Sequence, residues 1–340
     1  MRRSKDLRFA VVGSETLRGR EIKNVLSAGK IALKGLEFFD PDIEEEYSRL
    51  TQFRDEPKVV HYLTPNSLNG LDMVFLASDR KTNEDCGRRA VAEGFRAIDL
   101  SETFNTDEGV PLVVAGINES VLRGKKAPLI ANPHPVTIVL SRLFRALDRR
   151  FGIGRATSVV FQPVSAFEEE GIQELIDQSF ALLGGGSLPT KTFGGQIAFN
   201  LLAQTRKPEK DGFSSLEKQV LSEIRRVLDS PAYPVSLSVV LVPVFHTYSL
   251  MTHFEFVGKA GIGSLEALFK EDSIFKLRGP EKRGLVSSAS AAGKGTIYVG
   301  QIKKDPAVAN GFWIWTSADN LTLGSAENAF EIVRALFGVD

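Results

Sequence analysis

The chain has little sulfur and little histidine. Among 340 residues there is one cysteine, Cys86, and there are four histidines. A single thiol excludes an intramolecular disulfide and fits a reducing compartment. So few scattered ligands argue against a dedicated zinc site. Net charge is missing too: 42 acidic residues balance 42 basic ones, so neither nucleic acid nor an anionic membrane is the expected partner. No apolar run reaches the roughly 18 residues of a spanning helix. The basic opening Met1-Arg-Arg-Ser-Lys-Asp6 runs into a strand-like Phe9-Ala-Val-Val-Gly13, and reads as a solvated lead-in rather than a signal peptide. Together these absences predict a cytoplasmic protein with no metal, no membrane and no nucleic-acid partner.

What is present suits two ordinary globular domains. The chain is 43% hydrophobic and 25% charged, and its length exceeds one small core. Leu7 to Gly13 reads as a buried strand, Arg20 to Ser27 as an amphipathic helix, Gly35 to Phe39 as a second strand ended by Asp40-Pro41, and Asp72 to Ala77 as a third. Lys81 to Glu93 is helical and Gly94 to Asp99 a fourth strand. Strands alternating with helices imply βαβ units and a parallel sheet. Beyond about residue 155 the texture changes. Thr157 to Ser165 and Val235 to Phe245 read as long strands, His253 to Val257 as a partner, and Thr296 to Ile302 with Gly311 to Ser317 as two more. Helices are expected over Ile138 to Arg149, Gly171 to Leu183 and Ala326 to Phe337. Gly184-Gly-Gly186 and Ser287 to Gly293 read as exposed loops. The fold class is therefore α/β plus α+β, with a second domain built on a mixed or antiparallel sheet.

The most informative stretch is Ala131-Asn-Pro-His-Pro-Val-Thr137. It resembles the active-site segment of aspartate-semialdehyde dehydrogenases, Asn-Pro-Asn-Cys-Ser-Thr. Asn132, Pro133 and Thr137 match, His134 stands at the second Asn, and Pro135 stands at the nucleophilic Cys. Further segments resemble the family in order: Val11-Val-Gly13 to Gly19, Ala97 to Ser101, Phe161-Gln-Pro-Val-Ser165, Gln196 to Asn200, Val242-Pro-Val-Phe245, and Asp319-Asn-Leu-Thr-Leu-Gly324. The resemblance implies a Rossmann-type dinucleotide-binding domain over 1–132 plus 321–340. Residues 133–320 would form a catalytic and dimerisation domain, assembled as a homodimer.

The chemistry that the resemblance implies needs a cysteine thiolate, a histidine that moves protons, an arginine that clamps a carboxylate, and a nicotinamide. Here the nucleophile falls on Pro135, the clamp on Leu241 and the base on Tyr248, whose ordinary pKa is near 10. Gln162 retains a family glutamine. His134 and His246 are the remaining candidate bases, His246 sharing a face with Tyr248 if one strand carries both, although a plain strand-end histidine is the commoner case. Cys86 reads as a small buried residue. The cofactor positions are Gly13, Thr16, Gly19, Asp40, Ser165 and Asn320. The outer glycines persist, while Thr16 replaces the middle glycine and its Cβ obstructs a pyrophosphate. Glu15 adds negative charge there, and Phe167 and Glu168 stand where the family has a glycine-rich turn. Asp40 near the acidic Glu44-Glu-Glu46 favours NAD over NADP if either binds. A substrate-phosphate arginine is expected at Asn105, and Glu217 and Lys218 match an acid and a lysine to within one residue. The expectation is a homologue inactive in the family reaction, acting as a dimeric binding or regulatory protein. The alternative is an NAD(P)-dependent oxidoreductase with an altered site, acting on an aldehyde or acyl group.

Overall fold

The computed structural model describes residues 7–29, 31, 33–43, 49–123, 127–203, 208–278 and 285–338. Two sequence features, the lead-in Met1–Asp6 and the acidic run Glu44–Glu46, lie outside them. The chain divides into two units, residues 1–134 with 325–340, and residues 135–324.

In the first unit seven strands form one sheet: β1 (Arg8–Val12), β2 (Gly35–Asp40), β3 (Arg49–Phe53), β4 (Glu56–Tyr62), β5 (Met73–Leu76), β6 (Arg96–Asp99) and β7 (Leu129–Ala131). Their order is β3-β4-β2-β1-β5-β6-β7. All neighbours are parallel except β3, which returns antiparallel along β4. Phe9 to Val12 and Met73 to Leu76 are buried on both faces, as the central strands of a covered parallel sheet must be. Helix α1 (Leu17–Ala28) packs with the C-terminal helix Asn328–Phe337, and α2 (Arg80–Glu93) packs on β6 and β7. Asp79 caps α2 by accepting from the Lys81 and Thr82 amides, and Gly94 ends it at φ +84°. This is the expected Rossmann-type arrangement, with one addition. The β3–β4 hairpin was not predicted, because its turn is Arg54-Asp55, at φ +52° and +62°. Such turns are ordinarily marked by Asn-Gly or Asp-Gly.

The second unit holds α3 (Pro135–Phe151), β8 (Ile153–Gln162), α4 (Glu168–Gly184), α5 (Ser215–Val227), β9 (Val235–Leu241), β10 (Tyr248–Phe256), α6 (Ile262–Glu271), β11 (Phe275–Leu277), α7 (Ser288–Ala291), β12 (Ile297–Lys304) and β13 (Gly311–Ala318). Six strands form a mixed sheet in the order β11-β12-β13-β10-β8-β9, with β8/β9 and β11/β12 parallel and the other pairs antiparallel. Its core includes Leu140, Phe144, Val160, Leu237, Leu250, Phe254 and Ile314.

Four expectations in this unit are corrected. The long strand begins at Ile153 and ends at Gln162, since Pro163 has no N–H to continue a ladder. The run from Val235 stops being a strand at Leu241 for the same reason, with Pro243 following. The partner strand begins at Tyr248 rather than His253. Ser288–Ala291, expected as loop, is a short helix capped by Ser287.

Candidate functional site

The glycine turn after β1 keeps its frame. Gly13 has φ +80°, and a Cβ there would lie 2.6 Å from the Ser78 backbone; one on Gly19 would lie 2.0 Å from the Gly13 carbonyl. Both positions therefore require glycine on steric grounds. Thr16 does more than obstruct. It is the N-cap of α1: its hydroxyl lies 3.0 Å from the Gly13 carbonyl and 2.9 Å from that of Ala77, and it accepts from the Gly19 amide at 3.0 Å. A helix N-terminus attracts anions through such amides, and here one is already capped from within.

Glu15 does not stand as a bare charge beside this turn, as expected. Its carboxylate accepts from Lys23 Nζ at 2.7 Å, and Lys23 also donates to Thr51 Oγ1 at 2.6 Å. Burial pushes the Glu15 carboxyl up, but the hydrogen bonds from Lys23 and Thr51 outweigh it and hold the group below its ordinary value. No sequence signal marks a buried lysine. Arg18, in the first turn of α1, pairs with Glu102 at 3.7 Å. Asp40 ends β2, nearly buried, and accepts from the Asp42 amide; burial raises its carboxyl. Asn105 is buried, and Asn132 accepts from Asn328 Nδ2 at 2.8 Å. His134 is buried as well. Cys86 lies on α2, fully buried, and burial pushes its thiol up to about 11, so it is not a ready nucleophile.

In the second unit Pro135 is the first residue of α3. A proline suits this place, because its fixed φ matches a helix and its missing N–H would have no intrahelical partner. It packs on Gly324, where an added Cβ would come within 2.6 Å of Pro135 Cβ. Leu241 ends β9 at 1% exposure, inside an apolar cluster with Val164, Leu175, Phe193 and Ile197. Gln162, beside Leu241 in the β8/β9 register, donates from Nε2 to the Tyr248 hydroxyl at 3.3 Å.

His246 and Tyr248 do not share a strand face. Residues 242–247 form a loop, and Thr247 is held at φ +82°, a strained setting for a β-branched residue. His246 belongs to the loop and Tyr248 opens β10. Gln162 Oε1, His246 Nδ1 and Thr247 Oγ1 are buried atoms with no partner among the described residues. Asn320 ties this region together: its Oδ1 accepts from the Thr247 amide at 2.9 Å and its Nδ2 donates to Ser165 Oγ at 3.1 Å. The two residues expected to face a cofactor thus bond each other.

The turn after Ser165 carries Phe167 and Glu168. Phe167 packs edge-on against Phe193, with ring centroids 5.1 Å apart. Glu168 takes φ +56°, ψ −153°, a conformation that glycine favours. Gly171 lets α4 close on this turn, since a Cβ there would meet the Val164 carbonyl at 2.2 Å. Glu217 is structural: it completes the Ser214 capping box and accepts from the Val239 amide at 2.9 Å. Lys218 pairs with Glu209 and Asp211. Among the described residues no group of His, Cys, Asp and Glu could hold a metal ion, and no helix is long and apolar enough to cross a membrane.

Comparison with known proteins bears on the whole chain. The model for the NAD binding domain of semialdehyde dehydrogenase matches residues 8–125, and that for its dimerisation domain matches residues 143–323. The chain is 27% identical over 335 residues to the aspartate-semialdehyde dehydrogenase of Rickettsia conorii, covering 98% of each. It is 26% identical over 339 residues to that of Bacillus subtilis, covering 97% of each. Aspartate semialdehyde dehydrogenase II of Vibrio cholerae, solved in complex with ASA, superposes with a TM-score of 0.91 at 24% identity, over 97% of this chain and 98% of that one. The Candida albicans enzyme solved with NADP gives a TM-score of 0.68 at 16% identity, over 97% and 98%.

Proposed function

The chain belongs to the semialdehyde dehydrogenase family, and we propose that it is a member inactive in the aspartate-semialdehyde dehydrogenase reaction, acting as a dimeric binding or regulatory protein. The observation that carries this is Pro135, the first residue of α3, where the family resemblance places the nucleophile. A proline offers no thiolate, and its packing on Gly324 leaves it a helix-starting role. The companion positions agree. Leu241 cannot pair with a carboxylate and is taken into an apolar cluster, and Tyr248 is buried against Gln162. Losing a nucleophile, base and clamp together removes orders of magnitude in rate without any need for the effects to add.

The cofactor site fits a dinucleotide poorly. The glycine frame of Gly13 and Gly19 is intact, but Thr16 fills the middle of the turn and takes the Gly19 amide, and Arg18 is paired with Glu102. Dimerisation finds support in four side chains of the second unit. Phe180 and Leu183 on α4 are 73% and 80% exposed, and Phe199 and Leu201 on the following segment are 69% and 59% exposed. Apolar groups of this size left in water mark an interaction surface, and a second copy of the same chain is the occupant we assign.

The second reading, an NAD-dependent oxidoreductase with altered chemistry, is favoured by Asp40 at the end of β2, where a carboxylate suits a ribose 2′-hydroxyl. One experiment separates the two. Thermal unfolding is followed with NAD and with NADP, and phosphate-dependent oxidation of aspartate semialdehyde is assayed alongside. A ligand at 100 times its Kd stabilises by about 2.7 kcal/mol. The first reading expects no shift and no turnover. Turnover of aspartate semialdehyde overturns it, and a shift with NAD without that turnover favours the second.

A further inference from the structure

In the first unit an open cavity of about 460 Å³ runs beside α1, from Glu15 in the glycine turn to Ser27 in the last turn of the helix, and is closed on its other side by the β3–β4 hairpin. Its lining is rich in donors. Lys23 has a side chain only 7% exposed, and two of its three N–H groups reach Glu15 and Thr51. The third has no acceptor among the described residues. Arg54 is held in place from three sides. Its Nη2 donates to the Leu26 and Ile31 carbonyls at 3.3 and 3.0 Å, its guanidinium lies 5.1 Å from the Phe53 ring centroid, and its backbone sits at φ +52° in the hairpin turn. Nε and Nη1 of Arg54 are left without a protein acceptor among the described residues. Asn24, Ser27 and Gln52 add neutral polar groups. Arg20, Lys23 and Arg54 share the lining with two carboxylates, Glu15 and Asp55.

We propose that this groove binds a small phosphate ester. Arg54 Nε and Nη1, on a guanidinium anchored through Nη2, and the Lys23 ammonium can each donate singly to phosphate oxygens, and their immobilisation reduces the entropy lost on binding. The volume falls in the range of roughly 300–1,000 Å³ typical of small-molecule sites, larger than phosphate alone needs. Asn24, Ser27 and Gln52 suit the hydroxyls of a sugar. The site shares only Glu15 with the glycine turn and does not depend on the reading of the second unit.

The test is isothermal titration of the full chain at low ionic strength with ribose 5-phosphate, inorganic phosphate and ribose. Ribose 5-phosphate is expected to bind, inorganic phosphate more weakly, and ribose not at all. Arg54→Gln should weaken ribose 5-phosphate binding at least tenfold. Ser27→Trp, which fills the cavity from a half-buried position, should abolish it while the circular dichroism spectrum stays that of the wild type. No binding of ribose 5-phosphate by the wild type overturns the proposal. So does equal binding of ribose, or affinity unchanged in both variants.

Discussion

Gln162 Nε2 and the Tyr248 hydroxyl meet at 3.3 Å in the interior of the second unit. On the proposed reading this pair stands where a retained glutamine would face a proton-transferring histidine. The tyrosine instead completes a buried polar contact between β8 and β10. Restoring the nucleophile alone should therefore restore nothing. Pro135→Cys is expected to present a thiol that reacts with a disulfide reagent, yet to leave phosphate-dependent oxidation of aspartate semialdehyde at the buffer rate. Adding Tyr248→His should not change this while Leu241 still offers no cation to the substrate carboxylate. Turnover by Pro135→Cys, measured as reduced nicotinamide formed, would show the rest of the machinery intact and sink the reading.

The backbone of Glu168 is strained. At φ +56°, ψ −153° it occupies a region nearly restricted to glycine, at roughly 1–3 kcal/mol for a residue with a Cβ. Glycine there would relieve that strain but loses about 0.5–1 kcal/mol to the entropy of the unfolded chain. Relief wins on these magnitudes. Glu168→Gly is expected to stabilise by about 1 kcal/mol, read as a higher urea midpoint at unchanged m. Glu169 and Glu170 remain in the first turn of α4 to complement its dipole. A lower midpoint would mean that the Glu168 carboxylate makes contacts worth more than the strain.

The sequence made the architecture legible wherever a pattern was local. Phe9-Ala-Val-Val12 is buried on both faces and reads so, and Asp79 with Gly94 punctuates α2 as capping chemistry demands. The β3–β4 hairpin was invisible because Arg54 and Asp55 adopt left-handed backbone angles that no glycine advertises. The loop 242–247 was misread because Val-Val-Leu-Val-Pro-Val-Phe has the composition of a strand, while Pro243 and the strained Thr247 end it. At the candidate site the residues standing at the positions expected from the resemblance could be named from the sequence. The contacts those residues make in the fold could not. The Glu15–Lys23–Thr51 network and the bridge from Asn320 to Ser165 and Thr247 join residues far apart in the chain.

The Glu15–Lys23 pair makes a pH prediction. Burial opposes the charged carboxylate, but Lys23 and Thr51 hold its folded-state value below the ordinary one near 4.5. A depressed carboxyl contributes stability that is present above the unfolded value and is lost as pH falls through the folded value. Glu15→Gln should therefore be less stable than the wild type at pH 7, where Lys23 is left as a buried ammonium without its counter-ion. The gap should narrow as pH drops from 5 to 3. Urea midpoints of both proteins across that range check it, and a gap that stays constant or widens on acidification contradicts the pairing.

Gln178 fastens an irregular segment that makes few regular backbone bonds of its own. From α4 its Oε1 accepts the Ile197 and Ala198 amides at 2.7 and 3.0 Å, and its Nε2 donates to the Pro189 and Gly195 carbonyls at 2.7 and 3.0 Å. One turn earlier Glu174 accepts from the Thr192 and Phe193 amides. Leucine at 178 would strand four backbone groups, at roughly 1–3 kcal/mol each if they stayed buried. That total rivals the whole stability of a domain, about 5–15 kcal/mol. The cheaper outcome is local release of the segment, with the sheet beneath left folded. Gln178→Leu is thus expected to cleave early between residues 187 and 203 in limited proteolysis, and to exchange the amides of Ile197 and Ala198 rapidly. The global urea transition should move far less than the sum. Because Phe199 and Leu201 ride on this segment, sedimentation should also show a weaker dimer. Protected amides at 197 and 198 together with an intact dimer would show that Gln178 is dispensable to the surface it holds.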